Sequence, residues 1–115
     1  MMKNEKQFRG VFAIDLLPKK IHKNECGIVN FQKSTEFGSH WVCYFNNENT
    51  KFVEYFDSFG LEPPELLKTY LKTSNKKIMY NSTQYQKNDS VLCGYYCMEF
   101  IRRRNRGESY YNVVL

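Results

Sequence analysis

Two aromatic-rich segments separated by a polar turn constrain the fold of this 115-residue chain more than any other feature. The segments are Trp41–Phe45 and Lys51–Phe56, and residues 46–50 between them are Asn, Asn, Glu, Asn and Thr. Aromatic and β-branched side chains favour strands, whereas asparagine-rich segments favour turns. The sequence therefore predicts an antiparallel hairpin.

The loop length would set the register of this hairpin. If Asn46 pairs with Lys51, then His40, just before the first strand, lies directly opposite Asp57, just after the second. Directly opposed residues have Cβ atoms within about 5.5 Å of each other, so the hairpin alone would bring an imidazole to a carboxylate. A slip of one residue would turn the two side chains to opposite faces, so this prediction depends on the loop length.

Periodicity and turn residues predict the other elements. Residues 1–8 are expected to form a flexible tail. Leu92, Tyr96, Cys97, Phe100 and Ile101 follow helical spacing and would form the buried stripe of a second helix. The remaining predictions are strands at 10–14, 26–31 and 76–80, helices after Pro63-Pro64 and from Cys93 to Gly107, and a packed segment at 110–115.

Size and composition limit the class of protein. Residues 1–115 read as a single domain with a thin core, and an aromatic content of 17 % indicates a core built from rings. No apolar run is long enough to span a bilayer, and Met1–Arg9 lacks the apolar region of a signal peptide. We therefore expect an intracellular protein in a reducing compartment, including the nucleus or a virus-like particle.

The four cysteines then read as free thiols. The spacing Cys93-x-x-x-Cys97 has no matching second pair, and His22 with Cys26 is an isolated couple. Since zinc sites need a fuller ligand set, we expect neither a metal nor a cofactor.

Basic residues give the chain a net charge of +5 and cluster at Lys19-Lys20, Lys76-Lys77 and Arg102–Arg104 with Arg106. A solvated surface is the favoured interpretation, because arginines at the end of a helix also suit its dipole. Weak nucleic-acid binding through this basic surface is the alternative.

Cys93 is the candidate nucleophile. It lies between a polar loop and a predicted helix, where free N–H groups of the first turn and the helix dipole would stabilise a thiolate. Gly94 follows it and would leave room for a substrate backbone. The other cysteines lie in predicted strands or on the buried helical stripe, as small buried hydrophobic residues usually do.

His40 and Asp57 are the candidate partners of this thiol. An imidazole can hold the thiol proton and return it to the leaving amine, and a carboxylate fixes the imidazole tautomer. His22 lies in a lysine-rich loop without a paired acid and is the poorer candidate. Asp57 taken alone reads as a turn residue, but its predicted position opposite His40 favours the catalytic role.

A glutamine before Cys93 could complete an oxyanion hole with the backbone N–H of Cys93. Gln84 and Gln86 both lie in the preceding polar loop, and spacing alone does not choose between them.

Together these residues resemble the active-site motifs of the adenovirus-type cysteine proteases, which also occur in large DNA viruses and Maverick/Polinton transposons. The motifs are His40-Trp41, Tyr55–Gly60, Gln86 and Cys93-Gly94, and the likeness runs from about Phe8 to the C-terminus. The resemblance implies an α+β fold, a small antiparallel-rich sheet flanked by helices, as in the SUMO-deconjugating peptidases. It also implies that Gln86 is the oxyanion glutamine, and that Trp41 lines a narrow channel beside the histidine.

Three departures from the family pattern stand out. Adenovirus proteases carry Glu at the position of Asp57, although Asp is usual in the deconjugating relatives. No cysteine lies between Cys43 and Cys93, which argues against a disulfide-linked peptide activator. We also expect the N-terminal helix that family members carry before the Phe8 equivalent to be missing.

The resemblance implies a monomeric endopeptidase that cleaves after small residues, typically glycine, in viral or transposon structural precursors. An isopeptidase for a ubiquitin-like modifier is the first alternative. The second is an inactive domesticated copy that acts as a binding module.

Overall fold

The computed structural model describes residues 2–31, 40–82 and 93–114. The strands are β1 (Phe8–Ala13), β2 (Glu25–Asn30), β3 (Trp41–Asn46), β4 (Phe52–Phe56) and β5 (Lys77–Tyr80). The helices are α1 (Glu65–Lys72), α2 (Cys93–Asn105) and α3 (Tyr110–Val114), with short 3₁₀ turns at Met2–Asn4 and Ile14–Leu16. No helix within the described ranges is long and apolar enough to cross a membrane.

The five strands form one mixed sheet in the order β1-β2-β3-β4-β5. β3 pairs with β2 and β4 in antiparallel fashion, whereas the outer pairs β1–β2 and β4–β5 are parallel. The start of β3 therefore lies at the same edge of the sheet as the ends of the other four strands. The predicted α+β architecture, with helices flanking the sheet, is confirmed.

The helices cover both faces of the sheet, with α2 and α3 on one and α1 on the other. α2 lies on the face formed by Cys26, Ile28, Cys43, Phe45 and Phe56, and contributes Cys97, Phe100 and Ile101 to that core. α1 lies on the other face and packs Leu67, Tyr70 and Leu71 against Val29, Val42, Tyr44, Val53 and Tyr55. The predicted stripe of α2 is thus confirmed for Cys97, Phe100 and Ile101, with Tyr96 partly buried beside them. Leu92 falls outside the described residues.

The hairpin forms as predicted, but its predicted register is wrong by two residues. Tyr44 pairs with Tyr55, and Phe45 pairs with Glu54. The loop is longer than expected because a turn closed by the Thr50 N–H and the Asn47 carbonyl, 2.9 Å apart, leaves Lys51 outside β4. A shift of two residues keeps every side chain on its face, so His40 and Asp57 still point to the same side.

The N-terminal residues do not form the expected tail. Met2 is buried in the core on the α2 side. The amide of Asn105 at the end of α2 donates to the Glu5 carboxylate and to the Lys6 carbonyl, each at 3.2 Å. Met2, Glu5 and Lys6 therefore connect this segment to the core and to the end of α2.

A buried carboxylate on the α1 face of the sheet links several elements. The side chain of Glu25 accepts hydrogen bonds from the hydroxyls of Tyr44 and Tyr70 and from the guanidinium of Arg9, the last at 2.9 Å. Burial and the Glu25 charge raise the pKa of both tyrosines, so they remain neutral donors. β1, β2, β3 and α1 are thereby tied to one group.

Gly27 makes room for this network, and we expect Gly27→Ala to destabilise the fold. Gly27 pairs with Tyr44 across β2 and β3, and a methyl group added to it would lie 2.5 Å from the Tyr44 hydroxyl oxygen. Because Tyr44 is fully buried, its ring cannot move without breaking the contact with Glu25. Overpacking combined with an unpaired buried carboxylate oxygen should cost about 3 kcal/mol.

Urea unfolding followed by tryptophan fluorescence measures this effect. Gly107→Ala is the matched control, since nothing lies within 4 Å of a methyl group built there. Its cost should be limited to the backbone strain of its left-handed conformation, φ +92°. An unfolding free energy for Gly27→Ala equal to that of the unmodified protein would contradict the assignment.

Candidate active site

The structure brings His40 and Asp57 into direct contact at the edge of the sheet where β3 starts and β4 ends. Nε2 of His40 lies 2.7 Å from Oδ1 of Asp57. The Asp57 side chain is fully buried and that of His40 is 12 % exposed. Among the described residues, Oδ2 of Asp57 has no hydrogen-bond partner. The contact at Nε2 therefore fixes the orientation of the imidazole ring.

Asp57 also has the turn role that the sequence suggested. Its Oδ1 accepts the Phe59 N–H at 2.8 Å, and its carbonyl accepts the Gly60 N–H at 2.8 Å. Gly60 has φ +75°, a conformation that favours glycine. The two interpretations of Asp57 are therefore compatible, since the turn holds the carboxylate in place while Nε2 of His40 binds it.

Two aromatic rings hold the imidazole of His40. Phe59 stacks on it with ring centroids 4.3 Å apart and an interplanar angle of 7°, and Phe31 meets it edge-on at 5.2 Å. Continuing the observed β3–β4 register places Phe59, not Asp57, opposite His40. Sequence analysis gave neither ring a role of its own. The corrected β3–β4 register would have suggested Phe59. Phe31 lies outside the hairpin, directly after β2.

Cys93 lies beside this pair. It is the first residue of α2, and it is 3 % exposed. Its Sγ accepts the backbone N–H of Trp41 at 3.3 Å, and this N–H belongs to the peptide bond between His40 and Trp41. The position at the start of α2 is the predicted one, and the Trp41 N–H adds a hydrogen-bond donor to the sulfur.

Trp41 and Gly94 lie next to each other beside the thiol. A methyl group built on Gly94 would come within 4.0 Å of Cδ1 of Trp41. The indole also packs against the core on the α2 face, which limits its movement. These contacts suit the predicted channel, in which a small residue faces an aromatic ring.

The predicted oxyanion glutamine, Gln86, and the alternative, Gln84, lie outside the described residues. The backbone N–H of Cys93 is described, and as the first residue of α2 it has no partner within the helix. It can therefore serve as one donor of an oxyanion hole.

The other cysteines are buried free thiols, as expected. Burial raises the pKa of Cys26 to about 12, and burial together with the neighbouring Cys97 raises the pKa of Cys43. Both side chains are consequently protonated at neutral pH. Cys97 is fully buried on the core side of α2.

The arginine cluster at the end of α2 is used within the protein. Arg104 pairs with the buried Glu54 through two contacts of 2.7 Å, and Arg103 pairs with Glu108 at 2.8 Å. Arg102 lies 3.6 Å from Glu99. Arg102 and Arg103 are partly exposed, in keeping with the favoured interpretation of a solvated surface, whereas Arg104 is buried in its pair with Glu54 and departs from it.

A thiol at a helix N-terminus beside a buried imidazole–carboxylate pair is the set of groups with which cysteine peptidases cleave amides. Comparison with known proteins agrees with this class. Residues 8–109 match the sequence profile of the adenovirus endoprotease, and the chain belongs to that family.

A curated relative comes from Acanthamoeba polyphaga mimivirus and is named as a thiol protease. It is 36 % identical over 97 residues, which cover 76 % of this chain and 32 % of the mimivirus protein. The chain thus spans about a third of the length of this relative.

Two solved structures share the fold. The protease of ASFV superposes with a TM-score of 0.66 at 23 % identity, covering 80 % of this chain and 38 % of the viral one. The SUMO protease Ulp1 superposes with a TM-score of 0.53 at 14 % identity, covering 80 % and 48 %. The predicted similarity of fold to both viral and SUMO-deconjugating proteases is therefore confirmed.

Proposed function

We propose that this chain carries the catalytic centre of a cysteine endopeptidase, with Cys93 as nucleophile, His40 as general base and acid, and Asp57 as the orienting carboxylate. The observation that carries the proposal is the position of the thiol. The Trp41 N–H holds Sγ of Cys93 at the peptide bond that follows His40, and Nε2 of His40 is already bound to Asp57.

In this proposal each ring nitrogen of His40 has its own task. When Nε2 donates its proton to Asp57, Nδ1 is the acceptor that can take the proton of the Cys93 thiol. The thiolate then attacks the carbonyl carbon of the substrate and forms a C–S bond. Collapse of the tetrahedral intermediate breaks the C–N bond, and His40 transfers its proton to the leaving amine.

Water completes the cycle by hydrolysing the thioester, with His40 as the base that takes the water proton. The Cys93 N–H supports the developing oxyanion in both steps, and we propose Gln86 as the second donor. The thiol must remain reduced for this chemistry, which fits the proposed intracellular, reducing location.

For the substrate, we propose protein chains cleaved after glycine or another small residue. The position of the Trp41 ring supports this, because Cδ1 of the indole lies 4.0 Å from a methyl group built on Gly94, so that a substrate backbone beside the thiol would pass between an aromatic ring and a glycine. Family membership supports precursor proteins of a virus or transposon as the source.

A cleavage assay tests the proposed function. Purified protein is incubated with fluorogenic peptides that place Gly-Gly, Gly-Leu or Leu-Leu before the cleaved bond, and with a ubiquitin-like modifier joined to a lysine side chain. The expected result is preferential cleavage of the peptide that has Gly-Gly before the cleaved bond. Cleavage of the modifier conjugate alone would identify an isopeptidase instead, and absence of cleavage together with an unreactive Cys93 would point to a binding module.

We propose nucleic-acid binding by the basic surface separately, and no contact among the described residues favours it. Arg102, Arg103 and Arg104 all lie close to carboxylates, so their charges are partly neutralised. If it occurs, we expect it to be weak, steeply dependent on salt and unaffected by Cys93→Ala. We further propose that the domain is a monomer.

A further inference from the structure

Asn81 makes an unusual pair of contacts with the residue that carries the carboxylate. Its Oδ1 accepts the backbone N–H of Asp57 at 3.0 Å, and its Nδ2 donates to the backbone carbonyl of Asp57 at 2.7 Å. Asn81 directly follows β5 and is buried, with 4 % of its surface exposed. One amide side chain thus binds both backbone groups of a single residue.

These contacts take the place of backbone pairing between β4 and β5, which ends before it reaches Asp57. The β4–β5 ladder stops at the pair Tyr55 and Tyr80, and the chain turns after Asp57 to form the Asp57–Gly60 turn. The Asp57 backbone is buried at this point and needs partners. The Asn81 side chain supplies them, as a neighbouring strand would.

We propose that Asn81 is a positioning residue for the reaction, acting through Asp57; this inference rests on the proposed function. The direction of the Asp57 carboxylate depends on its backbone, which Asn81 holds from one side and the Gly60 N–H from the other. Oδ1 of Asp57 in turn sets the position of Nε2 of His40. Loss of the amide would let the imidazole move relative to the thiol.

The test compares Asn81→Ala with Asn46→Ala. Asn46 is equally buried, with 2 % of its surface exposed, and its amide also makes two hydrogen bonds. It lies at the end of β3, about 17 Å from the start of that strand, where the candidate site lies. Both variants should lower the urea midpoint, but only Asn81→Ala should reduce kcat/KM and the alkylation rate of Cys93 at about pH 6, by about 10- to 100-fold.

A double-variant cycle separates positioning from general stability. In an Asp57→Ala background, adding Asn81→Ala should leave the reactivity of Cys93 unchanged, because the carboxylate that Asn81 positions is already absent. A further loss of reactivity, or an equal loss in Asn46→Ala, would overturn the proposal. If Asn81→Ala does not fold, Asn81→Ser keeps one hydroxyl for a single backbone partner and should give an intermediate loss.

The outcome also distinguishes this inference from the proposed function. A reactive Cys93 in the unmodified protein, with unchanged reactivity in Asn81→Ala and Asn81→Ser, would refute the role of Asn81 alone. An unreactive Cys93 in the unmodified protein would refute the proposed function and the inference that depends on it.

Discussion

Replacing Cys93 with alanine is expected to lower kcat/KM for peptide cleavage by about 10⁴-fold or more. The substitution removes the sulfur that forms the bond to the substrate, and no other described cysteine lies at this edge of the sheet. Initial rates on the preferred glycine peptide, over a range of enzyme concentrations, measure the loss. Circular dichroism of the same sample verifies that the fold is retained.

Cys97→Ala is the matched control for this variant. Cys97 lies one turn further along α2 and is fully buried in the core. Its replacement leaves a small cavity, so the urea midpoint should fall while kcat/KM stays within a few-fold of the original. Substantial activity in Cys93→Ala would place the nucleophile elsewhere.

Replacing Arg104 with alanine is expected to destabilise the fold by about 3–5 kcal/mol. The guanidinium binds both oxygens of Glu54 at 2.7 Å and stacks over the ring of Phe45 at 4.6 Å. The side chains of Arg104 and Glu54 are 10 % and 5 % exposed. The substitution leaves a buried carboxylate without its partner, and urea unfolding measures the cost.

Arg103→Ala provides the comparison on the adjacent residue of the same helix. Arg103 also forms an ion pair, with the carboxylate of Glu108, but both side chains are 36 % exposed. Solvent screens this pair, so its loss should have a much smaller effect. The double variant Glu54→Leu with Arg104→Met should recover most of the lost stability, since apolar residues avoid the buried charge. Equal destabilisation by the two arginine variants would contradict this account of the Glu54 pair.

The Glu54 pair also bears on the candidate site because α2 carries Cys93 at its opposite end. The helix is fixed at its start by the contact of Sγ with the Trp41 N–H and near its end by Arg104. β3 and β4, which these contacts reach, are the strands that bring His40 and Asp57 together. The position of the nucleophile relative to its partners therefore depends on contacts along the whole helix.

Local patterns in the sequence were sufficient for much of the fold. The hairpin, the buried strand before it and the start of α2 at Cys93 follow from apolar periodicity and turn residues. His40 and Asp57 could be paired despite the wrong register, because an error of two residues preserves the face of each side chain.

Other features depend on contacts between distant segments, which periodicity does not encode. The parallel pairings of β1 and β5 are set by chain topology, and Glu54 and Arg104 are 50 residues apart. Asn81 binds the backbone N–H and carbonyl of Asp57. Such groups occur throughout the chain, so the residue type of the partner does not predict this contact. Met2 packs into a core cluster that also contains residues of β2, β3 and α2, which are distant from it in the sequence.

The pH dependence of Cys93 alkylation tests the central claim, that Cys93 and His40 form an activated pair. Iodoacetamide labelling is followed by mass spectrometry in the native protein and in His40→Ala. We predict rapid labelling of Cys93 at about pH 6 that His40→Ala abolishes. Cys26 and Cys43, whose thiol pKa values are raised by burial, and Cys97, on the core side of α2, should react only after denaturation. The claim would be contradicted if Cys93 labelling rose only near pH 8.5, about the pKa of a free thiol, and did so equally in both proteins.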